Sequence, residues 1–270
     1  MFEIDPSSAV GIAFLALLYV ALAWRLGRRP TQRQIFFFGL FIFSMLLTFG
    51  PLDELSDDRS FWAHMLEHSL QSWVIPPLLL LSVPDWMLRP FLTSKPVAPL
   101  ARWFSNPLVA FVTFTFVYVF AHDPPIFDLM TANENFHIAV HVAFMVAGTI
   151  LWWPLLSPMP EFPRLSYPMQ ILYIFLLMVP MTAVAAPLTL SESVTYPWYL
   201  GGPHPFGLTP HQDQVIGGIL MWVADSFYLI LVTTLIFFRW ARSDEIEEPP
   251  VNFRRPPELR VLRPHHRARV

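Results

Sequence analysis

The chain has 270 residues, of which 54% are hydrophobic and 14% charged, with nine histidines and no cysteine. Soluble domains carry about 25% charged residues, so this composition describes a membrane protein. The missing cysteines exclude disulfides, iron–sulfur clusters and thiolate zinc sites. A net charge of −3 excludes a nucleic-acid binder.

Seven apolar stretches approach the length needed to cross a bilayer: 9–26, 34–50, 60–84, 107–121, 136–156, 168–188 and 212–238. None alternates as a strand would. The expected fold is an all-α polytopic membrane protein with seven transmembrane helices. Residues 1–240 form the seven-helix transmembrane domain and 241–270 a cytoplasmic, disordered tail rich in Arg, Pro and Glu. The leader MFEIDPSS is acidic where a signal peptide is basic, so the first span is read as a retained helix.

Local signals mark several helix starts and bends. Asn106-Pro107 reads as a cap followed by the first helical residue. Thr131 with Glu134, and Thr209 with Gln212, have capping-box spacing. Pro76-Pro77 should kink the third span and free carbonyls one turn earlier, and Pro180 should kink the sixth.

Basic residues set the orientation. Arg25, Arg28, Arg29 and Arg33 fill the first connection, Arg89, Lys95 and Arg102 the third and Arg164 the fifth. Arg239, Arg242 and the arginines of the tail follow the last span, and Arg59 alone falls on the other side. The positive-inside rule then puts the N-terminus outside and the C-terminus in the cytoplasm.

On that topology seven of the nine histidines lie on the outer side: His64, His68, His122, His137, His141, His204 and His211. His64 and His68 are four apart, so they share a helical face. His137, His141 and Met145 form a second stripe at i, i+4 and i+8. Imidazole is a common ligand for transition metals, and two such pairs near one surface make a shared metal site the leading expectation. His122, His211 and Asp213 sit at the same ends. Glu67 lies between the first two histidines, where it could orient an imidazole as a supporting carboxylate. Asp225 is an ionisable group deeper in the seventh span, suited to pairing with a histidine or Tyr228, to carrying a proton, or to a structural hydrogen bond. Met45, Met65, Met178, Met181 and Met221 map to the outer halves of their helices, and thioethers beside imidazoles favour copper. For any single one of them, ordinary gap filling in an apolar bundle is the stronger reading.

No nucleophile elbow, phosphate loop or dinucleotide fingerprint is present, so no enzyme activity is expected. A haem-binding electron carrier would need histidines facing one another across a ring-sized gap. A transporter would need polar residues continuing into the inner halves, which beyond Asp225 are nearly all apolar.

The segments GPLDELSDD (50–58), AHMLEHSLQSWVIPPLLLL (63–81), AHDPPIFD (121–128), FHIAVH with GTILWWP (136–141, 148–154) and DQVIGGILMW (213–222) resemble the membrane-integral assembly factors of caa3-type cytochrome c oxidases. The likeness runs over roughly 35–235 and departs from the family pattern at Gly50, Glu67 and Asp123. It implies a protein of the bacterial plasma (inner) membrane that helps to mature a haem–copper oxidase by handling copper at the outer face. His64, His68, His122, His137, His141 and Asp213 are the positions it carries over. The implied partners are oxidase subunits, a periplasmic copper chaperone and membrane lipids. A scaffold that holds oxidase subunits without metal is the remaining alternative.

Overall fold

A computed structural model describes residues 6–57, 60–201 and 205–247, and these are helices and connecting turns with no strand. Asp58, Arg59, His204 and residues 248–270 of the expected tail, including His265 and His266, lie outside the described residues, whereas its first residues, 241–247, continue the last helix and are not disordered.

Every predicted span is found as helix. The first is α1 (Pro6–Arg25) and the second α2 (Gln32–Leu47), which continues through a π-turn at Thr48–Leu52 into α3 (Asp53–Asp57). The third comprises α4 (Phe61–Ser69), a π-turn at Leu70–Val74 and α5 (Ile75–Ser82). Short helices α6 (Asp85–Leu92) and α7 (Ala98–Phe104) lead to the fourth span, α8 (Pro107–Ala121). After α9 (Pro124–Ala132) come α10 (Glu134–Leu156) and α11 (Tyr167–Leu190), the fifth and sixth spans. The seventh is α12 (Pro210–Ile219), a π-turn at Leu220–Ala224 and α13 (Asp225–Glu247). By length and composition, five of the described helices can cross a bilayer, or six if α7 and α8, bent by 75°, are taken together. The expected third span is helical, with a π-turn within it, but is not among these.

The caps follow the local chemistry. Asn106 accepts from the Leu108 and Val109 amides, and Thr209 with Gln212 forms the expected capping box. The box expected at Thr131 is corrected. Thr131 lies inside α9, where its hydroxyl donates to the Phe127 and Asp128 carbonyls, and Asn133 caps α10 by accepting from the Phe136 amide at 3.0 Å. Asn133 is the extended residue next to the helix start, which is where a side-chain acceptor reaches the free amides.

The third span loses a helical hydrogen bond just after its π-turn. Pro76 lacks the N–H that would bond to the Ser72 carbonyl four residues earlier. That carbonyl accepts instead from the Trp152 indole of α10 at 2.9 Å. Here α10 comes so close that a Cβ on Gly148 would lie 2.8 Å from Pro76 Cγ. Pro180, by contrast, sits within the unbroken helix α11.

The third span is the centre of the bundle. α2 and α10 pack on α5, and α12 packs on α4. α8 and α9 flank α10, while α11 packs on α12 and α13. α1 lies on the outside against α2, anchored by Tyr19, which stacks on Phe38 at 3.9 Å and donates to the Ser82 carbonyl at 3.0 Å. Phe14, Phe116, Phe175 and Phe227 remain exposed, as side chains facing lipid tails do.

Candidate metal centre

Four ends of the bundle meet at the histidines: the starts of α4, α10 and α12 and the end of α8. The start of α4 is held by Asp213 on α12. Its two carboxylate oxygens accept from the Phe61 and Trp62 amides at 2.7 and 2.9 Å. Those amides have no partner within their own helix, and an anion there is also favoured by the helix dipole. α12 can come this close because residue 217 is glycine; a Cβ there would lie 2.5 Å from the Phe61 ring.

With α4 so placed, His64 and His68 point toward α10. Their Nε2 atoms are 3.0 Å apart. His141 completes a triad in which one nitrogen from each residue lies within 4.8 Å of the others, and all three side chains are buried. Nitrogens sharing one metal at about 2 Å stand roughly 3.3–3.5 Å apart, so small side-chain adjustments would suffice for His64, His68 and His141 to share an ion.

Two more imidazoles adjoin the triad. The His137 ring stacks on His64 at 5.1 Å and meets His141 at 4.2 Å. His122 meets His68 at 5.3 Å. Nδ1 of His122 is 2.7 Å from the Tyr118 carbonyl, which can only accept, so Nδ1 carries the proton and Nε2 is left with a free lone pair. Among the described residues, Nε2 of His122, His137 and His141 and Nδ1 of His68 are buried with no hydrogen-bond partner. Buried polar atoms are seldom left so. A compact set of such nitrogens fits a transition-metal cation, for which imidazole is a suitable donor.

The walls are aromatic. Phe144 stacks on His68 at 4.4 Å, Phe127 lies 5.3 Å from His64, and Phe49 lies 6.1 Å from His141. Tyr199 caps the cluster, its hydroxyl 3.1 Å from His64 Nδ1. Tyr196 donates to the His122 carbonyl at 2.8 Å. Burial raises the Tyr196 phenol above its ordinary range, with Asp123 and Asp128 adding to the effect, so it serves as a neutral donor.

The other expected residues have separate roles. His211 Nε2 is 2.8 Å from the Ser191 carbonyl, which fixes the outer loop to α12. Met145 packs with the smaller apolar cluster around Phe41, Met45 and Phe49. Met65, Met181 and Met221 are buried in the main core, with Met178 packed against it. Glu67 is fully buried beside the triad residues in sequence. Of the alternatives for Asp225 the structural hydrogen bond is the one found: it accepts from Ser69 Oγ and Trp73 Nε1, each at 2.9 Å. It thereby ties together the π-turns of the third and seventh spans. Tyr199, Tyr118 and Phe144 are absent from the sequence reading. The pair Tyr196 and Tyr199 in the outer loop was a usable signal, since three-residue spacing in a short helical turn puts both on one side.

These features define an all-helical membrane protein whose core holds a buried imidazole cluster at one end. A family model described as cytochrome c oxidase caa3 assembly factor (Caa3_CtaG) matches residues 17–243, and the chain belongs to that family. It is 27% identical over 218 residues to uncharacterized proteins of Mycobacterium bovis and Mycobacterium tuberculosis, a match covering 74% of this chain and 33% of each relative. A Mycobacterium leprae protein, also uncharacterized, is 26% identical over 201 residues, covering 68% of this chain and 30% of its own length. The chain thus spans about a third of the curated relatives it matches. No solved structure matches it.

Proposed function

We propose that this protein is an assembly factor for a haem–copper cytochrome c oxidase and that its cargo is copper, taken up at the outer face of the bacterial inner membrane. In this reading seven spans cross the membrane, with the N-terminus outside and the C-terminal tail in the cytoplasm. His64, His68 and His141 hold the ion, His137 and His122 offer entry and exit positions, and Tyr199 orients His64. Asp213 acts on the site by fixing the start of α4, Glu67 and Asp225 support the histidine helices, and no reaction is catalysed. The partners are oxidase subunits, with a periplasmic copper chaperone as the donor.

The observation that carries this reading is the convergence of three buried imidazole nitrogens within 4.8 Å, contributed by two helices. Family membership supplies the oxidase, and the all-nitrogen donor set suits a copper ion that must later be released. A haem is less well supported, because its plane would have to stand between rings that already touch one another and Phe144.

The test is to purify the protein with Cu(I) and compare its copper content with that of a variant lacking His64, His68, His137 and His141. About one copper per chain is expected for the parent and almost none for the variant, with oxidase maturation lost in cells. Equal copper in the two proteins overturns the metal reading. Maturation that persists without these histidines favours a metal-free scaffold, and a Soret band favours haem.

A further inference from the structure

At the end of α10 opposite the histidines lies a second feature, a cavity of about 460 Å³ between α2, α5, α10, α11 and α13. Pro77, Trp152 and Val232 are among its largely apolar walls, and Arg33, Arg164 and Arg239 stand at its edge. These arginines come from three separated parts of the chain: the start of α2, the connection before α11 and the later part of α13. Their convergence is therefore a product of the fold.

What sets these three arginines apart is that they line one cavity together, with their charges open. Among the described residues Arg89 pairs with Asp85 and Glu161, whereas Arg33, Arg164 and Arg239 have no carboxylate partner. Arg33 lies over the Phe37 ring at 5.5 Å, and Arg164 uses its Nε–H on the Ser157 carbonyl at 2.8 Å, which leaves its terminal nitrogens available. Burial and the neighbouring Arg239 both hold the Arg164 guanidinium below its ordinary value, a repulsion that an anion between them would relieve. Guanidinium groups bind phosphate oxygens in paired, directional hydrogen bonds. A cavity of this size falls in the range that holds a small ligand or part of a larger one.

We infer that this cavity is a binding site for one anionic phospholipid of the surrounding membrane. Its phosphate headgroup rests on Arg33, Arg164 and Arg239, and an acyl chain enters along Pro77, Trp152 and Val232. An apolar cavity open beside a basic rim selects an amphiphile over a free anion, because the phosphate alone would leave the apolar walls uncovered. The site is independent of copper: it lies at the other end of α10 and shares no residue with the histidine cluster.

The experiment is native mass spectrometry of the full-length protein in neutral detergent, offered phosphatidylglycerol, phosphatidylcholine or inorganic phosphate. One phosphatidylglycerol per chain should be retained, at least tenfold over phosphatidylcholine. The double variant R164Q/R239Q should cut that retention at least fivefold with copper content unchanged. Val232→Trp, which fills the cavity and leaves the arginines in place, should do the same. Equal retention of the two lipids, full retention by R164Q/R239Q, or full retention by Val232→Trp overturns the proposal. Displacement of the lipid by millimolar inorganic phosphate would identify a simple phosphate site and overturn it as well.

Discussion

Asp213 and Phe61 are 152 positions apart in the chain, yet the Asp213 carboxylate accepts the Phe61 amide at 2.7 Å. With the companion bond to Trp62, this contact fixes the helix that presents His64 and His68. Hydrogen bonds to a buried charged group are worth about 1.5–3 kcal/mol. Asp213→Ala should therefore lower thermal stability by about that amount and weaken copper binding as the triad loosens. Asp213→Asn keeps one acceptor and should lose less of both. Melting curves and copper titration of the two variants check the order; equal copper affinity in Asp213→Ala and the parent would show that the cap does not position the site.

His64 and His141 come from different helices, so neither binds a metal tightly alone. Replacing either with alanine should lower Cu(I) content to below about a tenth of the parent, since loss of one ligand from three leaves a weak two-coordinate site. His122→Ala, outside the triad, should retain most of the metal. X-ray absorption of the loaded protein should show about three nitrogen neighbours near 2 Å.

Tyr199 reaches His64 Nδ1, the nitrogen away from the triad. Partners of this kind typically change metal affinity by about 10–100-fold when removed. Tyr199→Phe should weaken copper binding within that range while leaving the melting temperature nearly unchanged. A large fall in stability instead would mark Tyr199 as a packing residue.

Asp225 joins Ser69 and Trp73 across two π-turns. Asp225→Leu leaves the Trp73 indole N–H unpaired in the core, at a cost of about 1–3 kcal/mol. Thermal melting measures that loss directly. Asp225→Asn, which retains an acceptor, should recover part of it.

Gly217 and Gly148 are defined by contact. A leucine at 217 would collide with the Phe61 ring, and a valine at 148 with Pro76 and the Gln71 carbonyl. Overpacking of this kind costs about 1–3 kcal/mol or more. Both variants should give less folded protein in detergent, and the 217 variant should also lose copper because it pushes α4 from α12.

The places where reading the sequence succeeded share one property: their physics is local. Apolar runs mark the helical stretches, four-residue spacing aligns His64 with His68 and His137 with His141, and Asn106 and Thr209 cap the residues that follow them. The carbonyl freed at Ser72 was legible because the missing N–H belongs to Pro76 itself. Thr131 was misread because the helix starts two residues later, where Asn133 accepts from the Phe136 amide.

What the tertiary structure decided is the meeting of groups far apart in the chain. Sequence spacing placed two histidine pairs on two helices; the close approaches at Gly148 and Gly217 brought α10 and α12 onto the third span and set one pair against the other. The same packing gave Asp213 to the α4 amides, His211 to the Ser191 carbonyl and Asp225 to Trp73. A carboxylate's partner depends on which donor the fold carries to it, and no pattern along a single helix encodes that.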